Sequence, residues 1–379
     1  MEFSFSEDQT AIQDLAHQIF TDQLTDEYLL EYDRGDNDYD TKLWALLAEQ
    51  GLLGLAVPES CGGSGLGFME LALVLQEGGR RVAPLPLLSN LVLAGLPITE
   101  FGSSAQQQQY LSAMASGEKQ LTAAIAEVAI SDAVASVVSV AKSGAAFTLS
   151  GEKQAVPYGA QANTILVPAV DGNGATSVFL VDTAAEGVSV TAQQTAFGNT
   201  LATVRLENVV AELLGNEGEG EQIVSWIEQY ANAAISAMQV GLCDEALKRT
   251  AEFTCERKQF GAPIGAFQAV AMRAADAYID IEAMRSTFWQ AAWRLSEQLE
   301  ATTEVRAAKY WACMGGHRVV HACQHLHGGM GSDVEFPIHR YFLHAKNNEF
   351  LLGGAQTQLS AIGELLASSD QTGATWLAV

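Results

Sequence analysis

Positive charge is scarce in this chain: 20 Lys and Arg stand against 45 Asp and Glu, a formal net charge of −25 over 379 residues. A surface of that sign repels phosphate polymers, so nucleic acid is not an expected partner. A few placed arginines and helix N-termini still suffice to bind a small anion. The five cysteines, Cys61, Cys243, Cys255, Cys313 and Cys323, are odd in number and form no CxxC pair, so no disulfide framework or structural zinc knuckle is read. Buried thiols are the expectation. The 8 prolines and non-periodic glycines exclude collagen-like or linker-dominated sequence, and 48% hydrophobic with 17% charged residues exclude a disordered chain. Long apolar runs are missing as well. None reaches the roughly 18 to 20 residues of a bilayer span, and residues 1–20 have acids near the start and no basic n-region. Neither a membrane span nor a secretory signal is expected, and the location is read as cytoplasmic.

The length suggests two or three domains, each with its own core. Up to about Gly117 the periodicity is helical, with Leu15, Ile19 and Leu24 and then Leu43, Leu46 and Leu47 at turn spacing. Ser6 followed three residues later by Gln9 fits a capping box at the start of the first helix. From about Lys119 to Leu214 short β-branched runs alternate with Gly, Asn and Asp, which predicts strands near 133–141, 146–149, 164–170, 177–181, 187–190 and 203–210. Helical segments return at 222–256, 266–299, 303–325 and 347–366, the pattern of a four-helix bundle. The expected fold is α+β and multidomain: an N-terminal all-α domain (1–118), a middle β-barrel or sandwich domain (119–217) and a C-terminal four-helix bundle (218–379).

Four motifs invite a chemical reading. The run Gly62-Gly63-Ser64-Gly65-Leu66-Gly67 lacks the GxGxxG spacing and follows no strand, so it reads as a tight interhelical turn and not as a dinucleotide loop. His317, His321 and His325 form one stripe on a helix, yet Arg318 stands where a zincin needs Glu, and no metal is expected. Cys255 to Gly265 (CERKQFGAPIG) ends a long helix and turns into another, with Arg257 and Lys258 placed to grip a pyrophosphate. His325 to Gly331 (HLHGGMG) ends a helix in a Gly turn where a backbone can approach a ligand.

Those last two motifs, in this order and spacing with PESCGGSGLG at 58–67, Phe267-Gln268, Pro337 and the closing Leu352-Gly353-Gly354-Ala355-Gln356, resemble the flavin-dependent acyl-CoA dehydrogenases over residues 1–366. The resemblance implies FAD between the β-domain and the C-terminal helices, with its pyrophosphate reached from a neighbouring subunit. The matching positions are Arg257, Phe260, Gln268, His325, Gly328 and Gly329. It implies an acyl-CoA thioester substrate, whose α-proton goes to a glutamate and whose β-hydride goes to flavin, and an electron acceptor such as a second flavoprotein. A polarised thioester carbonyl and a base are both required.

The chain departs from that pattern where the chemistry is done. Leu352 stands at the commonest seat of the glutamate, and Ala231 at the alternative seat on the helix leading to Arg257. Leucine takes no proton, although its backbone N–H still suits the carbonyl. Glu228 lies three residues before Ala231, about 4.5 Å along the axis. The usual TEPGxGSD loop appears as Ala126-Glu127-Val128-Ala129-Ile130-Ser131-Asp132, and the usual Trp-Ile-Thr as Ala155-Val156-Pro157. Backbone amides of Val156 and Tyr158 are left to meet the flavin ring. The chain therefore resembles the base-lacking subunits of heteromers that oxidise steroid side chains and other bulky acyl-CoAs. The alternatives are a self-sufficient homomer with Glu228 as a displaced base and a flavin-free, non-catalytic relative.

Overall fold

The structure, a computed structural model, describes residues 4–35, 38–125, 138–144, 146–195 and 198–368. In chain order the helices are α1 (Glu7–Gln23), α2 (Asp26–Arg34), α3 (Thr41–Glu49), α4 (Phe68–Arg80), the short α5 (Leu96–Phe101), α6 (Ser104–Gln106) and α7 (Ser112–Ala115), then α8 (Gly220–Glu256), α9 (Gln268–Ser296), α10 (Thr302–Leu326), α11 (Ile338–Phe350) and α12 (Ala355–Ser368). Between α7 and α8 run β1 (Leu121–Ala123), β2 (Val138–Ser143), β3 (Ala146–Pro157), β4 (Thr164–Val170), β5 (Thr176–Asp182), β6 (Val188–Thr195) and β7 (Gly198–Leu214). This is an N-terminal helical, middle β-barrel and C-terminal helical order, as the sequence pattern implies. The chain divides into two compact units, one from Met1–Arg34, Ala72–Ala83 and Asn232–Val379, the other from Gly35–Leu71 and Pro84–Ala231.

In the first unit α1 opens on the capping box: Gln9 N donates to Ser6 Oγ at 3.1 Å and Ser6 N to Gln9 Oε1 at 3.0 Å. Two helices, α4 and α8, meet at a pair of glycines. A Cβ at Gly241 would stand 1.9 Å from Gln76 O, and one at Gly79 would stand 2.2 Å from Met238 O. Nothing larger than hydrogen fits, so the backbones touch. Beside this crossing Arg80 bridges Glu77 at 2.9 Å and Asp244 at 2.6 Å, which leaves the buried Glu77 carboxylate paired. On α10 the buried stripe runs Val305, Lys309, Ala312, Gly316, Val319 and Cys323.

The second unit holds the sheet. Strand order is β1-β4-β2-β3-β7-β5, and β5 pairs back onto β4, so five strands close into a barrel with β6 added on β7. Alternate residues fill it: Ile165, Val167 and Ala169 of β4, Phe179 and Val181 of β5, Val204 and Leu206 of β7. A register shift between Leu149 and Gly151 opposite β7 puts Asn208 at φ 53 in a bulge and returns Val209 to the core. The Gly62–Gly67 run is the tight turn expected. Ser64 N bonds Gly54 O at 2.9 Å and Gly65 N bonds Val57 O at 2.8 Å, and a Cβ on Gly63 would strike Val57 O at 2.1 Å.

Three expectations change. The segment read as one helix over 347–366 is two, broken at Leu351–Gly354, with α11 beginning at Ile338. Leu352 (φ 53) and Gly353 (φ 90) are both left-handed there, which no α-helix tolerates. Cys255 is exposed, whereas the other four cysteines are buried thiols as expected. Strands β3 and β7 run further than their β-branched stretches, and β1 was not read at all. The Ala126–Asp132 loop and residues 133–137 lie outside the described residues. Among the described residues, no helix is long and apolar enough to cross a membrane.

Candidate functional site

The six residues singled out for a nucleotide all belong to the first unit. Arg257 follows the last turn of α8, its N–H bonded to Phe253 O at 2.9 Å. The chain then doubles back through a two-residue ladder, β8 (Lys258–Gln259) against β9 (Ala262–Pro263), with Phe260 (φ 53) and Gly261 (φ 83) at its tip. Two consecutive positive φ values are those of a type I′ turn, which suits Gly261 and strains Phe260. Phe260 is 94% exposed, and its ring lies in a T-shaped arrangement with Phe267, centroids 6.2 Å apart. Gln268 is the first residue of α9, whose cap residue Phe267 supplies no side-chain acceptor. The first turn of this 29-residue helix is capped by backbone alone, Phe267 O accepting from Val270 N at 3.0 Å and Ala271 N at 3.1 Å, and Gln268 is exposed.

The second motif closes α10. His327 stacks on Phe253 with ring centroids 4.3 Å apart, which brings the end of α8, four residues before Arg257, beside the Gly328 turn. Its Nδ1–H donates to Cys323 O at 2.8 Å, and burial pulls the imidazole below its ordinary pKa, so the ring is neutral. His325 is exposed on the last turn of α10. A Cβ on Gly328 (φ +63) or Gly329 would meet nothing within 4 Å, whereas one on Gly331 would strike Gln324 O at 2.3 Å. Gly331 is required by packing; Gly328 and Gly329 leave open backbone. Guanidinium, ammonium, a helix N-terminus and bare backbone make a donor set that fits an anionic dinucleotide.

The resemblance aligns the family's base with Ala231 and Leu352. Ala231 is fully buried on α8 in the second unit, next to Tyr230, whose ring packs 4.1 Å from Trp226 and 5.1 Å from Phe68. Glu228, one turn earlier, is partly exposed. Leu352 lies in the first unit, partly buried in the turn between α11 and α12. Buried Gln358 pins that turn, its Nε2 donating to Leu352 O at 3.2 Å and Gly353 O at 3.4 Å. In the barrel, Ala155 (φ 53) and Tyr158 (φ 48) flank Val156, which is buried opposite Ala202. The hydroxyl and aromatic wall of the usual Trp-Ile-Thr are replaced by small side chains.

The histidine stripe is partly assembled. His317 and His321 stack at 4.0 Å, and Lys346 Nζ donates to His317 Nδ1 at 3.0 Å. Burial, then the charges of His321 and Lys346, holds His317 below its ordinary pKa. An open groove of about 590 Å³ runs past these rings, and Arg318 at its side is paired with Asp280. Among the described residues no three His, Cys, Asp or Glu side chains are placed to hold a metal ion. Sequence reasoning missed Lys309. It is a wholly buried lysine bonded to Asn348 O at 2.8 Å, and its signal was a charged residue on the apolar stripe of α10.

Residues 6–118 match the acyl-CoA dehydrogenase N-terminal domain and residues 218–367 the acyl-CoA dehydrogenase C-terminal domain. The chain is 37% identical to acyl-CoA dehydrogenase FadE27 of Mycobacterium tuberculosis over 97% of its own length and 100% of that protein's. It is 34% identical to FadE28 of the same organism, covering 84% of this chain and 91% of that one. Among solved structures it resembles the ChsE4–ChsE5 complex of Mycobacterium tuberculosis, with a TM-score of 0.92 and 37% identity over 98% of this chain and 100% of that chain. It also resembles the Tcur3481–Tcur3483 steroid ACAD G363A variant, with a TM-score of 0.88 and 41% identity over 95% of this chain and 98% of that chain. Fold, motif order and these likenesses agree, and the chain belongs to the acyl-CoA dehydrogenase family of flavoprotein oxidoreductases.

Proposed function

We propose that this chain is the base-lacking subunit of a heteromeric acyl-CoA dehydrogenase, acting on a bulky acyl-CoA such as a steroid side-chain thioester. Its part is to complete an FAD site at an interface, while a homologous partner subunit takes the α-proton. The observation that carries this reading is the pair of inert side chains, Leu352 and Ala231, at both seats of the base, beside an intact and exposed donor set at Arg257 and Gly328–Gly329. The likeness to two proteins solved as two-component complexes supports it.

FAD, when bound, supplies the hydride acceptor. This chain's residues would hold it: Arg257 against the pyrophosphate, the α9 amides at Gln268 beside it, and His325, Gly328 and Gly329 along the nucleotide. Phe260, on a strained and solvent-exposed tip, would be covered by the partner or the cofactor. The domains would extend over residues 1–118, 119–217 and 218–379. Reduced flavin would pass its electrons to an external acceptor such as an electron-transferring flavoprotein.

The test is to purify the chain alone and co-expressed with its genomic neighbours of the same family, then record mass, visible spectrum and anaerobic bleaching by acyl-CoA. A yellow complex of two chain types that bleaches, and whose bleaching survives Glu228→Gln in this chain, is expected. A yellow homomer that bleaches and loses that response on Glu228→Gln contradicts the proposal. So does a complex that stays colourless after FAD is added.

A further inference from the structure

Lys309 and Cys313 stand one turn apart on the buried face of α10. Lys309 is wholly buried, Cys313 is 1% exposed, and Lys309 Nζ lies 3.2 Å from Cys313 Sγ. Among the described residues Nζ has two further partners, Asn348 O at 2.8 Å and Glu349 O at 3.4 Å, and Cys313 Sγ is 3.5 Å from Glu349 O. Neither residue has a part in the proposed dehydrogenation.

The three partners of Nζ differ in what they can give back. The two carbonyls only accept, so each claims an N–H. An ammonium has three such groups, whereas the amine has two and a lone pair. Burial draws Lys309 below its ordinary pKa, towards the amine. With both amine protons serving carbonyls, the lone pair is left facing Cys313 Sγ, the one partner that carries a proton of its own. Burial holds the Cys313 thiol above its ordinary pKa, and the Lys309 charge opposes that rise. The cover over this pair is thin on one side. His317, one turn further along α10, has 43% of its side chain exposed, and the Glu349 carboxylate is bonded to Lys346 at 2.5 Å beside it. A water-sized oxidant has only that layer to pass.

We propose that Lys309 and Cys313 form a redox modification site, in which hydrogen peroxide oxidises Cys313 and Lys309 captures the product as a sulfenamide linking the two side chains. In the first step an S–O bond forms and the peroxide O–O bond breaks, so that the thiol becomes a sulfenic acid and one water leaves. Sulfur gives up the two electrons that peroxide gains. In the second step the Lys309 lone pair attacks that sulfur: the S–N bond forms, the S–O bond breaks, and hydroxide departs with an amine proton as a second water. No further oxidant is consumed. One thiol, one amine and one peroxide thus give the link and two waters. Hydrogen peroxide is what dioxygen becomes when it takes electrons from a flavoprotein, and the chemistry is the same for peroxide from any source. The link draws Nζ away from Asn348 O and Glu349 O, and a thiol attacking the sulfur reverses it.

The test uses the full folded chain, treated with hydrogen peroxide, then denatured, blocked with iodoacetamide and digested with trypsin without reductant. Trypsin cuts after a free Lys309, so the untreated chain gives peptides 307–309 and 310–318. The treated chain is expected to give 307–318 uncut and two hydrogens lighter than its linear form, and dithiothreitol should restore both mass and cleavage. Exposed Cys255 gauges the oxidant dose. Cys313 still open to iodoacetamide once Cys255 is consumed overturns the proposal. So does Cys313 carried to the sulfinic acid with Lys309 still cut. The chain unfolded in guanidinium before treatment should give no link, and an equal yield there contradicts a site made by the fold. Lys309→Met should let Cys313 run on to the sulfinic acid at the dose that links the parent; a Cys313 that stays reduced in the folded variant contradicts capture by the amine. If Lys309→Met does not fold, Cys313→Ser decides with the parent: cleavage after Lys309 should survive peroxide, and its loss there refutes the Cys313 link.

Discussion

Replacing Gly241 by alanine tests how tightly α4 and α8 are fitted. The added methyl would lie 1.9 Å from Gln76 O and 3.0 Å from Arg80 N, and both are backbone atoms that cannot rotate away. Relief requires a local separation of about 1.5 Å to reach ordinary van der Waals contact. That shift also stretches the 2.6 Å bond from Arg80 on α4 to Asp244 on α8. Overpacking of this kind costs roughly 1–3 kcal/mol, and strain on a buried ion pair adds to it. Better helix propensity returns at most about 1 kcal/mol. The net expectation is a loss of about 2 kcal/mol. Gly363 on α12 is the control, because a Cβ there meets nothing within 4 Å, and Gly363→Ala should gain roughly 0.5–1 kcal/mol. Guanidinium unfolding of both variants gives opposite shifts in midpoint if the close crossing is real. Equal gains for both would refute it.

Other substitutions probe different parts of the molecule. Burial, and then the charge of Arg340, pushes His344 down to about 4 from an ordinary 6.5. The folded state therefore refuses a proton that the unfolded chain accepts, so this contribution to stability is complete above pH 6.5 and is lost as pH falls towards 4, by up to roughly 3 kcal/mol. Urea unfolding of His344→Leu should show a shallower decline across that window than the parent; parallel curves contradict it. Phe260→Ser changes a 94% exposed ring, so it should leave the unfolding midpoint within about 0.5 kcal/mol and lower flavin per complex severalfold. Unaltered flavin content would remove Phe260 from the cofactor site. Arg249 donates twice to Asp26, at 2.9 and 2.7 Å, and to Glu245 at 2.9 Å. Arg249→Leu should cost about 2–4 kcal/mol by leaving the largely buried Glu245 carboxylate with less compensation, and a denaturation midpoint equal to the parent's would show that pair to be idle.

Much of the architecture was legible because local pattern and tertiary environment agree. β4 is found at the predicted 164–170, since six of its seven residues are buried and near-continuous apolar runs mark such strands. The Ser6 cap was readable because both of its bonds are local. What escaped was decided at a distance. Residues 347–366 have helical periodicity, whereas the break at Leu352 lies where Lys309, some forty positions earlier, bonds the carbonyls of Asn348 and Glu349. β1, three residues long, exists only through its parallel pairing with Leu166 and its neighbours. Cys255 looked like another buried thiol, yet the last turn of α8 is exposed there. The candidate site divides in the same way. Arg257, Phe260 and the Gly328 turn were visible as motifs, whereas the exposure of Phe260 and the bonds of Gln358 to the Leu352 and Gly353 carbonyls needed coordinates.

Proton exchange at the substrate's α-carbon tests the central claim most directly. The purified chain is given FAD and acyl-CoA in D2O without an electron acceptor, alone and then with its homologous partner, and deuterium at the α-carbon is followed by mass spectrometry. No incorporation above the enzyme-free rate by the chain alone, and rapid incorporation once the partner is added, is the predicted result. Deuterium entering at full rate with this chain alone would show that it carries a working base of its own.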